Sequence, residues 1–219
     1  MDLDTIAEYL PLYTEATILT VRIALMGIIG SFIVGLICAV ISYNRIPVLS
    51  HLIAGYIELS RNTPLLVQLF LIYFGLPRLG IVLSGEVSAI IGLTFLGGSY
   101  MAEALRAGLA SVETIQWESA QSLGLGPFHT LRYVALPQAL AVSIPPLAAN
   151  IIFLIKETSV VSVVAVPDLV NVARDLIGIE YNTLEALVLL VAAYLVILLP
   201  ISIGARLVER RLRHAGFGD

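Results

Sequence analysis

Residues 16–43 read ATILTVRIALMGIIGSFIVGLICAVISY, with Arg22 the only charged side chain among them. A helix needs about 20 predominantly apolar residues to cross the hydrocarbon core of a bilayer, and this stretch is longer than that. Comparable stretches follow at residues 52–76, 87–105, 131–155 and 187–208. The sequence therefore predicts an all-α polytopic membrane protein with five transmembrane helices, forming a single domain over residues 1–219. Composition agrees. Of the 219 residues, 58% are hydrophobic and 13% charged, and the mean hydropathy is +0.96. Soluble domains carry about 25% charged residues, so the apolar surplus here must face lipid. Ser159 to Val166 is also apolar but ends at Pro167 and is too short to cross alone. It reads as a buried, partly re-entrant connection, with a sixth crossing as the alternative.

Charge sets the orientation, because cytoplasmic loops collect Lys and Arg. Five crossings gather Arg45, Arg106, Arg132, Arg206, Arg210, Arg211 and Arg213 on one side. The other side holds Arg78 and Arg174 with the acids Asp2, Asp4, Glu8, Glu15, Glu86, Asp168, Asp175, Glu180 and Glu185. The amino terminus is expected outside and the carboxyl terminus in the cytoplasm. Met1 to Glu15 lacks the basic region of a cleavable signal, so the first span is expected to serve as its own insertion signal. The basic tail from Arg206 to His214 suits an anchor at the inner leaflet. A net charge of -4 offers no basic stripe for nucleic acid. The single cysteine, Cys38, lies in an apolar run and reads as a packed thiol.

Between the third and fourth spans, residues 108–137 break the hydrophobic pattern. This stretch is interrupted by Gly124, Gly126 and Pro127, and it sets Trp117, Leu123, Leu125 and Phe128 among polar residues. A helix lying on the membrane would be rich in Lys and Arg, yet Glu113 and Glu118 are the only formal charges between Arg106 and Arg132. That favours a protein partner.

Within this loop stand Glu118-Ser119-Ala120, three residues, Gly124, nine residues, then Val134-Ala135-Leu136-Pro137. The spacing resembles the EAA loop of bacterial ABC importer permeases. Glycine permits a sharp turn between two short helices, and the proline is expected to end the second of them. Three further stretches resemble the polar amino-acid branch of that family, the histidine/glutamine/arginine/opine permeases. They are Tyr56 to Gln68 (YIELSRNTPLLVQ), Ser99 to Gly108 (SYMAEALRAG) and Lys156-Glu157-Thr158-Ser159-Val160. Three positions depart from the family pattern: Ser119 replaces the middle alanine, and Ile115 and Asn62 stand where glycine is usual.

The resemblance implies an ABC type I importer permease fold in a bacterial or archaeal cytoplasmic membrane. It implies a coupling helix formed by Glu118, Ser119, Ala120, Gly124, Leu136 and Pro137, docked on a dimeric ABC ATPase that holds ATP and magnesium. It also implies a second permease copy, identical or homologous, and an extracytoplasmic amino-acid-binding protein. No cofactor is expected on this chain. The sequence contains no G-x-x-x-x-G-K-[ST] phosphate loop, no zinc-binding cluster, and three scattered histidines, His51, His129 and His214. Enzymatic chemistry within the chain is not expected.

Ionisable groups at membrane depth mark a pathway or a mutual pair. Glu58 and Arg61, three residues apart, are expected to neutralise each other. Pro64 is expected to open the backbone of the second span, with Thr63 and Gln68 lining the path. Lys156 and Glu157, with Thr158 and Ser159, either meet the charged ends of an amino acid or pair locally. Glu103 is open to pairing with Arg106 or to gating, and Arg22 to snorkelling. An ion-driven transporter would need a titratable midplane site instead of a docking loop. A scaffold would not need the polar residues.

Overall fold

A computed structural model describes residues 3–44 and 46–216, the side chains of Leu3 and of residues 212–216 excepted. Asp2 and Arg45, and the side chains of Arg213 and His214, lie outside the described residues. In chain order the helices are α1 (Leu3–Tyr43), α2 (Leu49–Arg61), α3 (Leu65–Phe70), α4 (Gly85–Ala110), α5 (Thr114–Ser122), α6 (Pro127–Thr130), α7 (Leu136–Glu157), α8 (Leu169–Ile179) and α9 (Thr183–Gly216). No strand occurs among the described residues.

Four helical stretches are long and apolar enough to cross a bilayer: Asp4–Tyr43, Gly85–Ala110, Pro127–Val164 and Thr183–Arg211. They contain the first, third, fourth and fifth expected spans. The second expected span is not among them: residues 52–76 fall on two shorter helices, α2 and α3, separated at residues 62–64, and α3 runs on through a π turn (Leu71–Gly75) and a 3₁₀ turn (Leu76–Leu79).

Helix α1 starts well before the expected residue 16. Its acidic first turns stay helical because Tyr9, Tyr13 and Ala16 pack against Leu169, Leu176 and Ala186 of α8 and α9. The Tyr13 hydroxyl also donates to the Ala186 carbonyl at 2.7 Å.

α4 is the hub. In lipid, helices associate by close van der Waals packing and interhelical hydrogen bonds, and α4 uses both. Gly27, Gly30 and Gly35 of α1 lie directly over Leu93, Thr94 and Met101, and Gly97 lies over Ser31. Ser31 Oγ donates to the Leu93 carbonyl at 3.0 Å. Tyr56 and Ser60 of α2 both donate to the Phe95 carbonyl, at 2.7 and 3.0 Å, and Asn150 of α7 donates to the Tyr100 carbonyl at 3.1 Å. At the far end of α4, a Cβ built on Gly108 would lie 1.8 Å from Ser143 Oγ and 2.4 Å from the Ala139 carbonyl. The carbonyl belongs to backbone and cannot step aside. Gly108→Val is expected to lower stability by about 1–3 kcal/mol through overpacking, read as a lower melting midpoint of the detergent-solubilised protein.

Two features differ from expectation. Pro137 does not stop a helix. The chain is helical without interruption from Pro127 to Val164, because a π turn at Leu131–Ala135 absorbs the proline, Leu136 N donating five residues back to Leu131 O. Widening the turn relieves the clash that a proline ring makes with the carbonyl four residues earlier. The second feature is α8, which the hydropathy pattern did not foretell. The buried connection appears as a 3₁₀ helix, Thr158–Val164, with Val161, Ser162 and Val164 buried. After Ala165 in the left-handed region (φ 55) and Pro167, Asp168 caps α8 by accepting from Asn171 N at 2.9 Å. With 11 residues, α8 is about half as long as a crossing requires.

Candidate functional site

The break in the second span results from one missing donor. Residue 64 would donate its N–H to the Ser60 carbonyl in a continuous helix, but proline has none. Gln68 supplies the replacement, its Nε2 donating to Ser60 O at 3.0 Å and Thr63 O at 2.9 Å. Thr63 Oγ1 donates to Leu59 O at 2.8 Å, and Asn62 Nδ2 to Glu58 O at 2.8 Å. The chain end of α2 is thereby closed off without its next turn.

Beside this break lies a cleft of about 350 Å³, whose wall includes Arg61, Asn62, Thr63, Tyr100, Phe153 and Glu157. A second hollow of about 260 Å³, lined by Ile57, Glu58, Arg61, Asn62 and Tyr100, shares three of those residues and continues the space along α2. Small-molecule sites typically have volumes of about 300–1,000 Å³ and place a few polar groups in an apolar wall. A larger hollow of about 450 Å³ sits by α8, but its arginine, Arg174, is turned along its own helix onto Asn171 Oδ1 at 2.9 Å.

Of the candidate path residues, the structure brings Thr63 and Glu157 into the cleft wall. Gln68 does not reach it. Its side chain is 5% exposed and holds the break from behind. Lys156 is exposed and is not part of the cleft wall, and no ion pair joins it to Glu157 among the described residues. Thr158 is buried, donating to Ile155 O at 2.7 Å, and Ser159 is half-buried in the 3₁₀ turn.

The expected Glu58–Arg61 pair does not form. Because α2 ends at Arg61, Asn62 folds back and donates to Glu58 Oε2 at 3.0 Å. Arg61 reaches across to α4, where its Nη1 lies 2.9 Å from Glu103 Oε2 and its guanidinium stands 5.2 Å from the centre of the Tyr100 ring. The other Glu103 oxygen takes Arg106 Nη2 at 3.1 Å. Arg22 pairs with Glu86 at 2.5 Å. Asp168, which sequence reasoning counted only as an outer-side acid, is 1% exposed, and burial pushes its carboxyl up to about 6. An aspartate directly before an apolar run was the available N-cap signal.

The loop between α4 and α7 forms a second site. Helix α5 ends in a Schellman motif, with Gly124 at φ 81, Gly124 N donating to Gln121 O at 2.9 Å and Leu125 N to Ala120 O at 3.0 Å. Only a residue at ease in the left-handed region closes a helix this way. Ala120 is buried, and Trp117 packs against Val112, Ala135 and Ala139, which ties α5 to the start of α7. Glu118, Ser119, Leu136 and Pro137 are exposed. Leu123 is 82% and Phe128 69% exposed, two large apolar side chains left uncovered among the described residues.

The description "binding-protein-dependent transport system inner membrane component" fits residues 31–214 as a family match. The probable glutamine ABC transporter permease protein GlnP of Bacillus subtilis (strain 168) is 39% identical over 171 residues, 78% of this chain and 78% of that protein. The probable glutamine permease GlnM of the same organism is 32% identical over 97% of this chain and 98% of its own length. A crystal structure of an amino acid ABC transporter with histidines superimposes with a TM-score of 0.88 at 33% identity, covering 96% of this chain and 99% of that one.

Proposed function

Given that the chain belongs to the family of binding-protein-dependent transport system inner membrane components, we propose that its cargo is a polar amino acid and that the cleft beside α2 is where the cargo passes. The observation that carries this reading is the presence of Arg61 and Glu157 in one wall. A guanidinium matches an α-carboxylate, a carboxylate matches an α-ammonium, and Thr63 and Asn62 add neutral hydrogen-bonding groups between apolar neighbours. Gln68 contributes by holding the break open.

In this reading the chain crosses the cytoplasmic membrane of a bacterium or archaeon five times, with the broken α2–α3 segment as one crossing and the amino terminus outside. It pairs with a second permease, receives its cargo from an extracytoplasmic binding protein, and alternates between outward and inward access. ATP and magnesium sit on a separate ATPase, which meets Glu118, Ser119 and the exposed Leu123 and Phe128 on the α5 loop. That the relatives are named as permeases, and that Leu123 and Phe128 are exposed among the described residues, support this division of labour.

Reconstitution in proteoliposomes tests the proposal. Uptake of a labelled amino acid should require internal or external ATP on the ATPase side and should survive collapse of proton and sodium gradients. Uptake that follows an ion gradient and ignores ATP would overturn it.

A further inference from the structure

The charge arrangement around Arg61 carries a step that the cargo reading leaves open. Arg61 lines both the cleft and the hollow that continues it, yet among the described residues its one ion pair is through Nη1 to Glu103. Glu103 divides its two oxygens, Oε2 to Arg61 and Oε1 to Arg106, the latter from both Nε at 3.4 Å and Nη2 at 3.1 Å. Glu58, the nearer acid in sequence, is engaged by Asn62, and Glu157 is the other acid of the cleft wall. Two arginines thus share one carboxylate, and the pair facing the cleft is the simpler, single-contact one.

We infer that Glu103 is an internal stand-in for the carboxylate of the transported amino acid, holding Arg61 while the cleft is empty and yielding it when cargo arrives. The inference rests on the cleft being the cargo site. Arg106 makes the exchange cheap. Turning Arg61 away does not leave Glu103 unpaired, because its other oxygen keeps Arg106 at 3.1 Å. The planar fork of Arg61, half used against Glu103, is then open to bidentate contact with the cargo. When cargo leaves, Glu103 retakes Arg61, which discourages rebinding and favours release. Glu103 is a positioning residue in this scheme, acting on cargo only through Arg61.

The consequence is a pair of effects with opposite signs. Glu103→Gln removes the competitor, so cargo should bind about tenfold more tightly, while turnover falls because release loses its driving partner. Arg106→Gln leaves Glu103 with Arg61 alone, strengthens the competitor, and should weaken cargo binding about tenfold. A merely structural triad would have both variants shift affinity the same way. The experiment is equilibrium binding to the purified complete transporter without nucleotide, with size-exclusion elution as the folding check. The probe is whichever of the twenty standard L-amino acids the wild type takes up fastest. Opposite shifts support the inference, and shifts of one sign, or none, overturn it while leaving the cargo reading intact. If wild type binds no amino acid, the cargo reading falls and this inference with it. Should Glu103→Gln fail to assemble, Arg106→Gln alone decides, since unchanged or tighter binding would refute the scheme.

Discussion

Replacing Arg61 with alanine is expected to weaken amino-acid binding to the assembled transporter by about a hundredfold. Truncating one member of a hydrogen-bonded charge pair costs about 2–5 kcal/mol, and tenfold corresponds to about 1.4 kcal/mol. The lower part of that range applies, because the Arg61 side chain is 41% exposed in the single chain and water screens it. Arg61→Lys keeps the charge but loses the fork, and an intermediate loss of about tenfold is expected.

The fold should tolerate both changes. Arg61 ends its helix, its side chain stands at an open cleft, and Glu103 keeps Arg106 as a partner. Melting and elution should therefore match wild type, which separates a binding defect from a folding one. The readout is titration of the purified complex with a labelled amino acid. Binding by Arg61→Ala at wild-type strength would remove Arg61 from the site and move carboxylate recognition elsewhere. Uptake should fall in step with affinity at low substrate and recover partly at saturation, as expected for a residue whose work is binding.

How far the sequence alone reached is seen best around this same residue. The apolar stretches were legible because a bilayer imposes a long, unbroken pattern. The weak point of the second span was legible too, since Pro64 removes a donor whatever surrounds it. Arg61's partner was not. The i,i+3 rule says only which side chains share a helix face; it does not register that Asn62 takes Glu58 or that a carboxylate 42 residues away on α4 stands within reach of Arg61. Gln68 was read as a path residue from its polarity, but its amide is used by the two carbonyls that the break leaves uncovered.

The other misses have the same origin. A window of about 20 residues cannot register an 11-residue helix, so α8 went unseen although Asp168 announced it. Pro137 was read as a stop because its clash is local, while the π turn that relieves it is a property of the whole helix. In the α5 loop the spacing and the structure meet most closely. Gly124 was singled out as a turn, and it stands at φ 81 in the motif that such a turn requires. What the spacing did not give was the exposure of Leu123 and Phe128, which depends on where Trp117 anchors the loop.

That loop supports the second large effect, the loss of ATP-driven uptake in Gly124→Pro with cargo binding retained. Proline holds φ near −65° and has no N–H, so it can neither adopt φ 81 nor donate to Gln121 O. The end of α5 should unwind, and Leu123 and Phe128 should lose their fixed placement beside Glu118. Gly124→Ala costs only about 1 kcal/mol at such a position and should leave partial uptake. Leu123→Ser isolates the contact from the geometry. At 82% exposure the leucine does little for the stability of this chain, so melting should not change. Burying a leucine against a partner is worth about 1.5–3 kcal/mol, so ATPase binding should weaken about 10- to 150-fold. Co-purification with the ATPase and ATP-dependent uptake are the two readouts. If Leu123→Ser retains both, the partner does not sit on that face. If Gly124→Pro loses cargo binding as well as uptake, the loop acts on the fold of the spans and not as a relay. The cleft and the loop are joined by α4 and α7, so a relay that leaves the cleft intact is the outcome that separates coupling from collapse.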